Sequence, residues 1–381
     1  MGWMKDETGL DKTPANYVPL TPLSHLARAA SVFADREALV YGDMRLTYTQ
    51  YHARVSQLAS ALVQAGVKPG DVVATLLPNI PAQAEAHFGV PAAGAVLNTI
   101  NIRLDVDTIA YIFDHGGASV VICDSQFLPV CMQAIDLMKG DAPLVVEVPD
   151  PQAGVPEIGE QIDYETFLAA GDPVFPWIMP EDEWESLALN YTSGTTGRPK
   201  GVVYHHRGAY QMTMGTVISW RMVLHPVFMA IVPLFHCNGW NHTWMMPVIG
   251  GTLVCCRDIT AGAIYNAIAD EGVTHFGGAP IVLNMIVNSP DNERRAFDHN
   301  VEVFTAGAPP APATLGKIEA LGFNVTQVYG LTESYGHVTE CVWRAEDWDD
   351  LDQAAKAAIK ARQGVAMPMM EHITVMDDQM V

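Results

Sequence analysis

Apolar and polar positions along the chain switch repeatedly between a helical period and strand-like runs. Leu23, Leu26, Ala27 and Ala30 share one helical face, so residues 20–35 read as a docking segment and a short helix. The β-rich runs 38–41 and 45–48 flank Gly42-Asp43 and predict a hairpin. Thr47 and Gln50 stand at the separation of a capping box. Val55, Leu58, Ala59, Leu62 and Val63 follow at helical spacing, with Gly66 as the expected stop. Residues 72–77 form an unbroken apolar run, as a strand buried on both faces of a parallel sheet requires. A helix over 82–95, a helix capped by Asp105 that turns Ile109, Ile112 and Phe113 inward, and a strand at 120–123 come next.

The pattern weakens over 140–184, an irregular, acidic excursion with one helix expected at 164–169. It resumes with a strand at 186–191 and β character at 202–204. Further strands are expected at 228–232, 252–256, 273–276, 301–305 and 324–328, with helices at 241–249, 264–271 and 315–321 between them. Residues 346–361 are acidic, then helical, and 373–376 read as a strand. Strand–helix alternation of this kind predicts an α/β fold. The expected division is a first α/β subdomain over 1–185, a second over 186–345, and the opening of a third over 346–381.

Composition narrows the class. With 381 residues, 49% hydrophobic and 17% charged, the chain can bury a substantial core. A net charge of -22 argues against nucleic acid and anionic membranes as partners. The six cysteines form no Cys-x-x-Cys pair, the N-terminus lacks a signal-peptide core, and no apolar run is long enough for a membrane span. A cytoplasmic protein with reduced thiols is expected.

Against that acidic background one short basic loop is conspicuous: Thr192-Ser193-Gly194-Thr195-Thr196-Gly197-Arg198-Pro199-Lys200. Glycines let backbone N–H groups approach an anion, hydroxyls add donors, and Lys200 adds a point charge. Such a loop suits a polyphosphate. It is not the P-loop of nucleotide triphosphatases, because Lys200 is followed by Gly201 and by β-branched residues rather than by Ser/Thr and a helix. Its shortness, and the strands on either side, argue against a flexible linker.

Three further loops follow expected strands, where open α/β sheets place ligands. They are 235–240, with His236 and Trp240; 305–310, with Gly307, Ala308 and Pro309; and 329–333, with Tyr329, Gly330, Thr332 and Glu333. Small residues let a flat ring lie against backbone, Tyr329 offers a stacking face, Thr332 a phosphate donor, and Glu333 an oxygen ligand for Mg2+. Taken singly, Tyr329 reads more often as core packing, Glu333 as a solvated helix-start residue and Gly307 as a simple turn. His205, His206, His236, Cys237 and His242 match no familiar zinc spacing. The joint order of the four loops is the stronger signal.

That order resembles the adenylate-forming superfamily of acyl-CoA synthetases, luciferases and peptide-synthetase adenylation domains. Thr192–Lys200 is similar to its phosphate-loop signature and Tyr329–Glu333 to its second signature, and the resemblance continues through 66–79, 98–103 and 364–377. Within the superfamily the chain is most similar to short- and medium-chain fatty acyl-CoA ligases, with 3-methylmercaptopropionate-CoA ligases as a close candidate subgroup. The resemblance implies two stacked α/β subdomains plus the start of a β-barrel subdomain, the large N-terminal domain of such an enzyme. It implies ATP, Mg2+ and coenzyme A as co-substrates and cofactors, with a small-molecule carboxylic acid as substrate and a homodimer as one candidate assembly. Residues 192–197 and Lys200 would then hold the β- and γ-phosphates. Gly307, Ala308, Pro309, Tyr329 and Gly330 would form the adenine site, Thr332 would contact the α-phosphate, and Glu333 would bind Mg2+. His236 would border the acyl carboxylate, and Trp240, Gly277 and Gly278 would line the acyl pocket. The family's ribose-binding Asp and C-terminal catalytic lysine have no counterpart before Val381, so these 381 residues are expected to be an incomplete copy. Two alternatives remain: an adenylation domain that loads a carrier protein, and an inactive nucleotide-binding fragment. The absence of an acidic residue around 236–240 and 277–280 favours a simple acid over an amino acid.

Overall fold

The computed structural model describes residues 8–192 and 197–379. Its strands form two mixed sheets. The first runs, in spatial order, Ile162–Asp163, Leu144–Val148, Ala118–Asp124, Val72–Leu76, Val96–Thr99, Ser186–Thr192, Lys200–His205. Neighbours are parallel up to Ser186–Thr192, which pairs antiparallel with Lys200–His205. The second runs Val365–Ala366, Gly336–Glu340, Phe323–Leu331, Val301–Thr305, His275–Gly278, Val227–Ala230, Thr252–Cys255, Glu37–Tyr41, Met44–Thr47, with a parallel centre and antiparallel edges.

Most expected elements form where the pattern placed them. The hairpin pairs Tyr41 with Met44. Thr47 and Gln50 close the expected capping box on helix Tyr48–Gln64, and Asp105 caps Val106–Gly116 through Thr108 N. Tyr164–Ala169 is a helix within the acidic stretch. Helix Pro81–Ala92 is buried at every position. It touches strands of both sheets, so no face is left for water, and even Gln83, Glu85 and His87 are buried along with its apolar residues.

Strand pairing crosses the expected division at residue 185 in both directions. The hairpin 37–47 adds to the second sheet through Thr252–Cys255, and strands 186–205 complete the first through Val96–Thr99. An apolar run shows that a strand is buried, not which sheet receives it. One core, from Leu23 to Val328, accordingly runs through both halves. Residues 373–376 are not a strand: among the described residues no strand pairs with them, and Val375 is 97% exposed. Val365–Ala366 instead extends the second sheet, and helix Gln353–Lys360 packs on Pro312–Glu319.

The halves are joined by polar contacts at the carboxyl ends of their strands. Asn79, just after Val72–Leu76, donates from Nδ2 to Ala230 O and Val232 O at 2.7 and 3.2 Å and accepts from Leu234 N at 2.8 Å. Arg257, after Thr252–Cys255, reaches Asp124 at 2.7 and 2.9 Å and Asp150 at 3.0 Å, and Tyr41 donates to Asp150. The Arg257 side chain is 6% exposed and that of Asp124 is 0%. Removing the cation strands two buried carboxylates, so Arg257→Ala should cost about 3–5 kcal/mol. The measurement is the denaturant midpoint, and a loss below about 1 kcal/mol, typical of surface pairs, would show that the network does not hold the halves together.

Candidate active site

In each sheet the order reverses about one strand. Val72–Leu76 is flanked by Val96–Thr99 and Ala118–Asp124, and Val227–Ala230 by Thr252–Cys255 and His275–Gly278. Crevices outside such strands are the usual ligand sites of α/β sheets. Here Asn79 ties the two reversal points directly to each other.

The segment that leaves Val227–Ala230 enters an unusual turn. Cys237, Asn238, Gly239, Trp240 and Asn241 have φ of 46°, 40°, 60°, 55° and 63°. Five successive residues are therefore in the left-handed region, which costs a non-glycine residue roughly 1–2 kcal/mol each. Glycine suits the middle, where a Cβ at Gly239 would also stand 2.8 Å from Leu234 Cδ2. Surrounding hydrogen bonds hold the turn. Asn238 Oδ1 accepts from Asn190 Nδ2, and Asn238 N donates to Asn190 Oδ1 at 3.2 Å. Thr99 Oγ1 donates to Phe235 O at 3.0 Å, and Asn241 Nδ2 donates to Tyr335 O. Strain maintained by so many partners is characteristic of functional segments.

The second signature is fixed just as firmly. Gly330 allows close strand approach, since a Cβ there would meet Gly336 O at 1.6 Å. Tyr204 donates to Thr332 O at 2.8 Å and stacks on Tyr335, with ring centroids 4.1 Å apart. Thr332 Oγ1 lies 3.3 Å from Cys237 Sγ, so the two loops touch at their functional faces.

Between these loops lies a cavity of about 620 Å3. It is bordered by Thr192, Lys200, His236, Trp240, Gly307, Gly330, Thr332 and Glu333 of the expected set. Asn101, Leu104, Ile112, Tyr191, Cys237 and His337 also border it; Cys237 belongs to the expected loop 235–240, Ile112 is expected only as the inward face of a helix, and no local spacing marks His337. Ser193, Gly194, Thr195 and Thr196 lie outside the described residues. Gly197 belongs to the loop but borders a different depression, together with Arg198, whose guanidinium sits 4.9 Å over the Tyr111 ring. Ala308, Pro309 and Tyr329 are exposed next to the cavity's bordering residues, in the same loops. Gly277 and Gly278 are buried behind Trp240 and Val282 and do not border the cavity. Trp244 and Met245 are core residues: Trp244 is fully buried, with Nε1 donating to His87 O.

The site's charges are few. Lys200 and Glu333 border the same cavity, and neither side chain has a hydrogen-bonding or ionic partner among the described residues. Partial burial lowers the pKa of His236, which favours a neutral imidazole at neutral pH. Glu333 fits Mg2+ by its chemistry, since that ion is commonly held by one or two carboxylates together with substrate phosphates and water. No cluster of three His, Cys, Asp or Glu side chains among the described residues is arranged as an all-protein metal cage.

Several buried histidines share one electrostatic consequence. Desolvation depresses His25, His87, His206, His275 and His337 from 6.5 to about 4. The unfolded chain thus takes up protons below 6.5 that the native chain refuses, and stability falls as pH drops from 6.5 toward 4. The buried carboxyls Glu85 and Glu340 and the half-buried Glu302, raised by the same desolvation, work in the opposite sense. The net expectation is a denaturant midpoint that declines steadily across that window. A flat or rising midpoint would contradict neutral burial of the histidines.

Known proteins share this architecture. The profile described as "AMP-binding enzyme" matches residues 26–380. The peroxisomal acetate/butyrate–CoA ligase of Arabidopsis thaliana is 44% identical over 98% of this chain, which covers 68% of that relative. An acetate–CoA ligase of Humulus lupulus is 43% identical, with 98% and 68% covered. The inhibitor-bound N-terminal domain of FACL13 from Mycobacterium tuberculosis superposes with a TM-score of 0.78 at 27% identity, over 92% of this chain and 83% of that one.

Proposed function

Since the chain belongs to the family of AMP-binding enzymes, we propose that it activates a short- or medium-chain carboxylic acid with ATP and passes the acyl group to coenzyme A, as an acid–thiol ligase. The observation that carries this reading is convergence. Lys200, His236 with Trp240, and Thr332 with Glu333, which come from three separate loops, border one cavity.

The chemistry asks for such a set. A carboxylate oxygen attacks the α-phosphorus of ATP, the bond to the bridging oxygen breaks, and pyrophosphate leaves from an acyl-AMP anhydride. Repulsion between two anions and charge growth on the phosphate oxygens form the barrier, and preorganised donors lower it. In this reading Lys200 and the 192–197 loop hold the β- and γ-phosphates, and Thr332 donates to the α-phosphate. His236, kept neutral, orients the acid through an N–H without adding charge. Gly307, Ala308, Pro309, Tyr329 and Gly330 form the adenine wall. Glu333 would hold Mg2+, which supplies positive charge among the phosphates when bound. Trp240 closes the acyl side and favours a short tail, with Gly277 and Gly278 behind it. Within that class we take 3-methylmercaptopropionate as the candidate acid, and the six buried free thiols favour a reducing compartment such as the cytoplasm. Among the described residues no helix is long and apolar enough to cross a membrane.

Lys200→Ala or Glu333→Ala in the full-length gene product should slow acid-dependent pyrophosphate release by ~10²-fold or more, by analogy with the loss of one oxyanion donor. Unchanged release in either variant removes that residue from the proposed role. Trp240→Ala should shift kcat/KM toward longer straight-chain acids, and an unaltered chain-length profile would take Trp240 out of the acyl pocket.

A further inference from the structure

The backbone that carries Lys200 is held by a strand on one side only. Lys200 opens Lys200–His205, the outermost strand of the first sheet among the described residues, and its pairing with Thr192 is the last of that ladder before the loop. The ammonium then stands at the end of a flexible four-carbon stem. Placing it accurately against a phosphate requires a second support for the residues just before it.

The helix Val106–Gly116 supplies one. Tyr111 donates its hydroxyl to Pro199 O at 3.3 Å, and the Arg198 guanidinium lies 4.9 Å over the same ring. One side chain therefore engages both residues that precede Lys200. One turn further along, His115 Nδ1 is 2.7 Å from the hydroxyl of Tyr191, on the other limb of the hairpin. Gly116 leaves room for that hydroxyl, since a Cβ there would stand 3.3 Å from it. Tyr191 pairs with Gly201 across the ladder, so this contact also bears on the limb that carries Lys200. Tyr111 and His115 share a helix face through their i, i+4 spacing, with ring centroids 5.2 Å apart, and the Tyr111 ring meets that of Tyr191 edge-on at 6.5 Å. The helix is itself anchored. Asp105 caps its first turn, and Ile109, Ile112 and Phe113 are buried.

We propose that Tyr111 and His115 are positioning residues for the polyphosphate end of the site: they hold the two limbs of the loop at Pro199 and Tyr191 and so fix where Lys200 meets the β- and γ-phosphates. The inference rests on the acid-activating reading above. Neither residue borders the cavity. Both border the neighbouring depression, and Pro199 borders the two, so their influence passes through the loop. Such influence is worth having, because a misplacement of about 1 Å can cost ~10²-fold in rate.

Acid-dependent ATP–pyrophosphate exchange by the full-length gene product, in a double-mutant cycle with Lys200, tests this. Tyr111→Ala removes the hydrogen bond and the stacking together, and should raise the KM for ATP by ~10-fold while the KM for the acid stays within about 2-fold. Tyr111→Phe loses only the hydroxyl and should raise the KM for ATP by ~3-fold; it carries the test should the alanine variant not fold. His115→Leu should give the same split between the two substrates. In a Lys200→Ala background, Tyr111→Ala should change exchange by less than about 2-fold, because the group it positions is gone. An unchanged KM for ATP in the Tyr111 variants overturns the proposal. So does an equal rise in both KM values, which marks general structural damage, or a loss that multiplies with that of Lys200→Ala. Exchange as fast in Lys200→Ala as in the unsubstituted protein would instead count against the role given to Lys200 in the acid-activating reading.

Discussion

One buried carboxamide, that of Asn79, ties the two halves of this protein together where their central strands end. It bonds two carbonyls and one N–H of the segment that leaves the central strand of the opposite sheet. Both of its polar atoms are thereby satisfied at a place where water is excluded, and a partly satisfied network there would be worse than none. The segment so fixed leads straight into the left-handed turn at 237–241. Asn190 and Thr99, from the first sheet, then hold that turn. The cavity is therefore neither half's own property. It is the seam between them, and its walls are only as well defined as these amide contacts.

The seam also sets the electrostatics. The chain carries a net charge of -22, so its overall field opposes a polyphosphate ligand. Attraction has to be local and short-ranged: Lys200, Thr192 and Thr332 bordering the cavity, and imidazoles kept neutral by burial. Arg198, the other cation of the loop, lies over Tyr111 and lends its charge to a different face. Charge in the cavity is concentrated in few groups, so each matters more than its counterpart on the acidic surface.

Much of this was legible in the sequence where local chemistry decides the outcome. The capping box at Thr47 and Gln50, the hairpin at Gly42-Asp43 and the Asp105 cap are contacts within four residues, and all formed. The positions that converge on the cavity were found because four loops stood in a recognisable order. Membership of a strand in one sheet or the other was not legible, since burial on both faces looks alike in either. Asn79, Asn190 and Asn238 were missed for a related reason: a buried asparagine far from its partner in sequence has no local pattern. His337 was missed too, since it borders the cavity without any local spacing that marks it. The strand expected at 373–376 failed because β propensity needs a neighbouring strand.

The left-handed turn has a consequence for how such an enzyme can change over evolutionary time. Residues 237–241 occupy a backbone conformation that few side chains accept, so most substitutions there incur strain before they alter any contact with an acid. The facing wall is different, since His337 borders the same cavity from an ordinary strand, Gly336–Glu340. The turn acts as a rigid mould, and change at the surfaces across from it carries no such backbone cost.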